Sequence, residues 1–154
     1  MILLEIARAT IAKKLGYEVS NVNIPNESEF HSERGTFVTL KIDNQLRGCI
    51  GSLSTDSPVY KGVESNAVNA AFHDHRFSPL RKEEYDTLDI EVSVLTEPKP
   101  LDYKDANDLI EKLNPNVDGV IIRKGSAGAT FLPQVWEQLP DPISFLEHLC
   151  LKAG

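Results

Sequence analysis

The stretch that most constrains how this chain can fold is Leu46-Arg47-Gly48-Cys49-Ile50-Gly51. An arginine, a thiol and two glycines share one short segment framed by Leu46 and Ile50. Glycine inside a strand costs ~0.5–1 kcal/mol relative to alanine, because more backbone freedom is lost on folding. Two of them here set ~1–2 kcal/mol against a whole-domain margin of ~5–15. Such a loss is expected where another group approaches the backbone closely, or where the strand bends. Two readings follow: a bulged hairpin strand holding a small buried Cys, or the wall of a site.

Residues 37–42 alternate as a strand, and Asp43-Asn44-Gln45 turns the chain into the hexapeptide. A two-residue loop sets Val38, Leu40 and Ile42 beside Cys49, Arg47 and Gln45. A three-residue loop instead pairs Val38 with Ile50, Leu40 with Gly48 and Ile42 with Leu46. The second gathers every aliphatic side chain on one face, which is what fixes the register of a half-buried hairpin. It predicts Leu46 and Ile50 in the core, with Arg47 and Cys49 on the opposite face beside Phe37, Thr39 and Lys41.

The remaining pattern is mixed. Leu4, Ala7, Ile11 and Leu15 predict a helix over 2–15, stopped by Gly16. Residues 21–33 are polar and irregular, and read as a solvated loop rather than a carboxylate–histidine metal site. Ser57-Pro58 predicts a helix start, with Pro58 at the first helical position and an apolar stripe through Val59, Val63, Ala67 and Ala70 or Ala71. Ser78-Pro79 predicts a short helix through Tyr85. Residues 89–95 alternate cleanly, with Ile90, Val92 and Val94 on one face. Beyond the proline-broken 97–100 segment come a helix near 106–113, strands over 120–123 and 129–132, a short helix from Pro133 to Trp136, and a last helix with Ile143, Leu146, Leu149 and Cys150 inward. Strands and helices without regular alternation predict an α+β fold, a mainly antiparallel, curved sheet with several packed helices. The length of 154 residues suits a single domain over 1–154, either one body or two subdomains around a cleft.

Composition narrows the function classes. A net charge of −7 with no basic run argues against nucleic acid as a partner. No apolar segment approaches the ~20 residues of a membrane span, and the N-terminal stretch, with Glu5 inside it, is not a signal peptide. Cys49 and Cys150 lie far apart without metal-ribbon spacing, which fits a reducing cytoplasm.

Several residues could carry chemistry. Cys49 is a nucleophile or soft metal ligand if positive charge favours its thiolate, with Arg47 two residues away; otherwise it is a small apolar thiol. Arg47 grips a carboxylate or phosphate through its fork, or pairs with Glu91 on a neighbouring strand. Gly48 and Gly51 leave room beside the sulfur. His73 and His75 flank Asp74 at a helix end, where a general base or simple capping are both open. Asp74 paired with Arg76 or Arg81 would fix that loop. Gln134, after Pro133, presents an amide to a ligand or caps a turn. Trp136 and Phe131 read as core.

The blocks LRGCIG (46–51), GTFVTL (35–40), NAVNAAFHDHRFSPL (66–80), IEVSVL (90–95) and GATFLPQVWEQLPDPISFLEHLCLKAG (128–154) together resemble the AMME chromosomal region candidate gene (AMMECR) domain family. LRGCIG is the family's hallmark, and Asp74, Arg76, Phe77 and Pro79 match its D-x-R-F-x-P block. The resemblance implies a compact α+β domain that accompanies a Memo-like protein and a radical-SAM protein in many prokaryotes, the AmmeMemoRadiSam system. It implies no settled reaction. Two functions therefore stand: a cytoplasmic binding or accessory module acting with such partners through a cleft near LRGCIG, or an enzyme using Cys49 with Arg47 holding an anionic group of a small-molecule substrate. The binding residues expected in either case are Arg47, Gly48, Gly51, Asp74, Arg76, Glu91 and Gln134. The sequence names no cofactor and no resident metal.

Overall fold

A computed structural model describes residues 1–53 and 56–154. The chain divides into two compact units, 1–99 and 100–154. The fold is of the α+β kind expected from the pattern, with antiparallel sheets and several helices. Among the described residues its strands form a three-stranded sheet in the first unit and a two-stranded sheet in the second.

In the first unit, helix α1 (Ile2–Lys14) and a single turn α2 (Ser28–His31) precede strands β1 (Thr36–Ile42) and β2 (Gln45–Ser52). Helix α3 (Val59–Phe72), a 3₁₀ turn (Lys82–Thr87) and strand β3 (Asp89–Val94) complete it. The sheet order is β2–β1–β3, all antiparallel. Val38 and Leu40 of the central strand are fully buried against Ile6, Ala7 and Ile11 of α1 and Val63, Ala67 and Ala70 of α3. Because side chains alternate along a strand, Thr39 and Lys41 fall on the opposite face. Register across the sheet then sets Cys49, Thr39 and Glu91 in one row on that face.

The hairpin combines features of both loop registers. Val38 faces Ile50 and Leu40 faces Gly48, as the aliphatic match predicts. Beyond Leu40 the register shifts, so that Lys41 meets Leu46 and Ile42 meets Gln45. The loop itself is the two-residue Asp43-Asn44, both at positive φ (52° and 61°), a backbone that suits the twist of a tight hairpin. The extra residue that reconciles the two halves is Arg47, a bulge. Leu46 is therefore not in the core, contrary to the sequence expectation: it is 44 % exposed. Ile42 and Ile50 pack only partly against the core.

Other expectations shift by a residue or two. Leu4 is exposed, because the first turn of α1 borders an open cleft, and the buried face runs through Ile6, Ala7, Ile11 and Ala12. Pro58 precedes the first helical residue of α3 instead of occupying it. No helix starts at Ser78-Pro79. The 3₁₀ turn opens after Arg81, whose N–H donates to the Glu84 carboxylate at 2.8 Å. Asn66, buried mid-helix, donates through Nδ2 to the backbone oxygen and hydroxyl of Thr36 (both 2.9 Å), fixing α3 to β1.

The second unit carries α4 (Ala106–Lys112), the hairpin of β4 (Val120–Lys124) and β5 (Ala127–Phe131), a 3₁₀ turn (Pro133–Glu137) and α5 (Pro142–Ala153). Trp136 stacks on Phe145 at 3.7 Å and donates from Nε1 to the Asp118 carbonyl at 2.7 Å, so it is core as expected. The inward face of α5 is Phe145 and Leu149. Ile143 and Cys150 are exposed, contrary to expectation, since Cys150 lies one helical step around from Leu149.

Candidate functional site

Strand β2 is an edge strand, so alternate peptide groups along it have no strand to bond with. The Cys49 peptide is one of these, and the 74–76 loop meets it. The N–H of Cys49 donates to Asp74 Oδ2 at 2.9 Å, and Arg76 Nη2 donates to the Cys49 carbonyl at 3.2 Å. Asp74 is 3 % exposed and accepts three further bonds from Arg76: from its N–H (3.2 Å), Nε (2.9 Å) and Nη2 (2.7 Å). The Arg76 guanidinium, with the Cys49 and Arg76 amides, holds the Asp74 carboxyl well below the ordinary carboxylate range, against the opposing effect of burial. An acceptor and a donor carried by two side chains thus bond the N–H and the carbonyl of one residue as a neighbouring strand would.

The loop reaches this position because α3 ends at Phe72, where the His73 N–H still bonds to Asn69, and the chain then turns within a few residues. The Phe77 N–H donates to the Asp74 carbonyl (3.0 Å), and the Leu80 N–H donates back to Ala71 (2.7 Å). Leu80 is buried in the same core as α3.

Gly48 explains why β2 can lie so close. A side chain there would run into the Ala70 carbonyl of α3, and at Gly51 one would run into the Phe37 ring and the Thr36 carbonyl. The space beside both glycines is filled by the protein itself, not left open beside the sulfur as the sequence reading supposed. Both glycines serve close packing.

Arg47 does not pair with Glu91. Its Nε donates to Glu84 Oε1 at 2.8 Å and its Nη2 to Oε2 at 3.1 Å, with the Pro79 carbonyl at 3.4 Å. The bulge breaks the alternation at Arg47, and the 3₁₀ turn supplies the carboxylate. This fork, helped by the Arg81 amide, pulls Glu84 down to about 2 from its ordinary 4.5. Glu91 is held instead by Lys41 Nζ at 2.5 Å. Glu84 was absent from the sequence-derived candidates. Its one legible sign is its place three residues after Arg81, a spacing that suits a capping carboxylate.

The Cys49 thiol is half-buried, and its partner among the described residues is the Thr39 hydroxyl at 3.3 Å. His73 and His75 are exposed, and His73 Nδ1 lies 3.1 Å from Asn69 Oδ1. Gln134 is half-buried in the 3₁₀ turn of the second unit. The structure brings together Arg47, Gly48, Cys49, Asp74 and Arg76. Glu91 joins them through the row of Thr39. Among the described residues no group of three or more His, Cys, Asp or Glu is placed to hold a metal, and no helix is long and apolar enough to cross a membrane.

Comparison with known proteins places this geometry in a wider set. A family model described as AMMECR1 matches residues 4–154. A protein of Methanothermobacter thermautotrophicus is 39 % identical over 155 residues, covering 99 % of this chain and 80 % of that protein. Protein MK0488 of Methanopyrus kandleri is 39 % identical over 99 % of this chain and 75 % of its own length. The crystal structure of the uncharacterised protein PH0010 from Pyrococcus horikoshii superposes with a TM-score of 0.84 at 34 % identity, covering 99 % of this chain and 78 % of that one.

Proposed function

The chain belongs to the AMMECR1 family, and we propose that it works as a non-catalytic binding module supporting a partner enzyme. The observation that carries this reading is how the charges of the two signature blocks are used. Asp74 and Arg76 are spent on the Cys49 peptide and on each other. Arg47 is forked onto Glu84, so its guanidinium is committed to a carboxylate of the same fold. The hydrogen-bond partner of the Cys49 sulfur among the described residues is the neutral Thr39 hydroxyl, and the nearby Arg76 cation is already paired with Asp74. A nucleophile needs an activating group within reach, and an anion holder needs an unspent fork. What remains for a partner is the sheet face itself, with the Cys49–Thr39–Glu91 row at its centre. The partners that the family resemblance implies are the Memo-like and radical-SAM proteins, and the expected setting is the cytoplasm.

The test mixes the purified chain with each of those two proteins and follows complex formation by light scattering after size exclusion. Co-elution with one of them is expected, unchanged in Cys49→Ser and lost in Thr39→Lys, which plants a bulky cation in the row. The enzyme reading, with Cys49 as nucleophile, would replace this one if Cys49→Ser abolished the complex, or if iodoacetamide labelled native Cys49 faster than exposed Cys150.

A further inference from the structure

Strand β3 is terminal in the order β2–β1–β3. The Leu95 N–H donates to the Gly35 carbonyl at 2.8 Å, and pairing then runs without a break from Thr36–Val94 to Lys41–Asp89. In an antiparallel ladder, bonded pairs alternate with unbonded ones. Leu95, Ser93, Glu91 and Asp89 therefore bond to β1, and the peptide groups of Val94, Val92 and Ile90 turn to the outer edge. Among the described residues nothing meets them: no backbone or side-chain hydrogen bond reaches these three residues from outside the ladder.

Val94, Val92 and Ile90 also line an open cleft of about 630 Å³, with Leu3, Phe30 and Val59 among its apolar walls. Arg34 borders it, half-buried, with no ion pair or hydrogen bond among the described residues. Of the two acids on the lining, Glu91 is held by Lys41, and Glu29 is exposed. An unpaired ladder edge, an apolar trough along it and one uncommitted cation form a set that an extended peptide satisfies in full. We propose that the outer edge of β3 receives an extended strand from a partner polypeptide, apolar at alternate residues and bearing a carboxylate for Arg34. A cleft of this size admits a few residues of peptide. A second copy of the chain, itself at −7, would present its own Asp89 and Glu91 strand instead. The cleft shares Glu91 with the Cys49 row, but the β3 edge stands whether or not that row binds the companion enzymes.

The probe is a fluorescein-labelled octapeptide alternating valine and threonine, with one threonine replaced by glutamate. Two further versions are N-methylated at every second residue, in one register or the other. Only one register removes the donors that face β3, so one version binds like the parent and the other loses about tenfold or more in affinity. Equal binding by both would overturn the strand reading, as would no binding by the parent. Arg34→Gln is expected to weaken the glutamate peptide about fivefold and leave an all-threonine version unchanged; equal effects on both would remove the carboxylate. Amide hydrogen exchange reads the wild-type protein directly. The Ile90, Val92 and Val94 amides should exchange fast when free and slow together on peptide addition. Protection of these three in the free monomer, or protection that grows with protein concentration instead of peptide, would overturn the proposal in favour of a covered edge or a second copy.

Discussion

Strands β2 and β3 flank the same central strand, and each turns peptide groups away from it. On β2 the outward Cys49 peptide is bonded on both sides, its N–H to Asp74 and its carbonyl to Arg76. On β3, among the described residues, no hydrogen bond meets the outward groups of Ile90, Val92 and Val94, and the same residues line an open cleft. Exposed ladder edges invite pairing with other chains, and proteins close them with charges, bulges or a covering loop. Strand β2 has all three: the Arg47 bulge, the 74–76 loop and two ion pairs. The difference shows what the two signature blocks do together. D-x-R supplies one acceptor and one donor at the spacing of a peptide, and LRGCIG supplies the peptide they bond and the glycine that lets α3 approach. The pair of motifs closes the edge at Cys49, and the charges of Asp74, Arg76 and Arg47 are engaged in that closure.

The comparison breaks most readily at Asp74. Asp74→Ala leaves the half-buried Cys49 N–H unbonded and Arg76 without its carboxylate, so stability should fall by about 3 kcal/mol. Urea unfolding monitored by circular dichroism measures it, and a loss below about 1 kcal/mol would mean water replaces the carboxylate without cost. Gly48→Ala drives a methyl into the Ala70 carbonyl, and overpacking of this kind costs about 1–3 kcal/mol. The same substitution at Gly125, whose neighbourhood is open, meets no such wall and suffers only from its positive φ.

Acid should open the β2 edge selectively. Asp74 and Glu84 both have folded values below their unfolded ones. Their contribution is whole above pH ~4.5 and is lost as pH falls toward 2, where Glu84 takes up its proton and later Asp74 does. Urea midpoints measured at intervals between pH 6 and pH 2.5 should decline across that window, and less steeply in Glu84→Gln. A flat profile would mean that neither carboxylate is held as described. The smallest effect is expected from Arg47→Lys, which keeps the charge and loses the fork. It should cost about 1 kcal/mol or less, read by the same unfolding.

How much of this was legible in the sequence differs from one residue to the next. The Val38–Ile50 and Leu40–Gly48 pairs followed from aliphatic matching, because burial on one face fixes register strongly. The turn end did not, since Leu46 was assigned inward by the same rule while the Arg47 bulge displaced the alternation by one. A bulge leaves no periodic trace in a single chain. The nearness of 46–51 and 74–79 was readable from two unusual blocks. The partner of Arg47 was not: Glu91 and Glu84 are both acids at plausible distances in sequence, and only the path of the 3₁₀ turn decides between them. Cys150 was misplaced because Ile143, Leu146, Leu149 and Cys150 make a credible stripe, and Phe145 turned the helix toward its stack with Trp136 instead.

The central claim is that two side chains stand in for a strand at Cys49 while, among the described residues, Val92 has no such substitute. Residue-resolved amide hydrogen exchange of the free wild-type monomer at neutral pH tests it most directly. After correction for intrinsic rates, the Cys49 amide should be protected ~100-fold more than that of Val92, because opening it requires the Asp74 bond to break. A Val92 amide protected as well as Cys49, or a Cys49 amide exchanging as freely as Val92, would contradict the account.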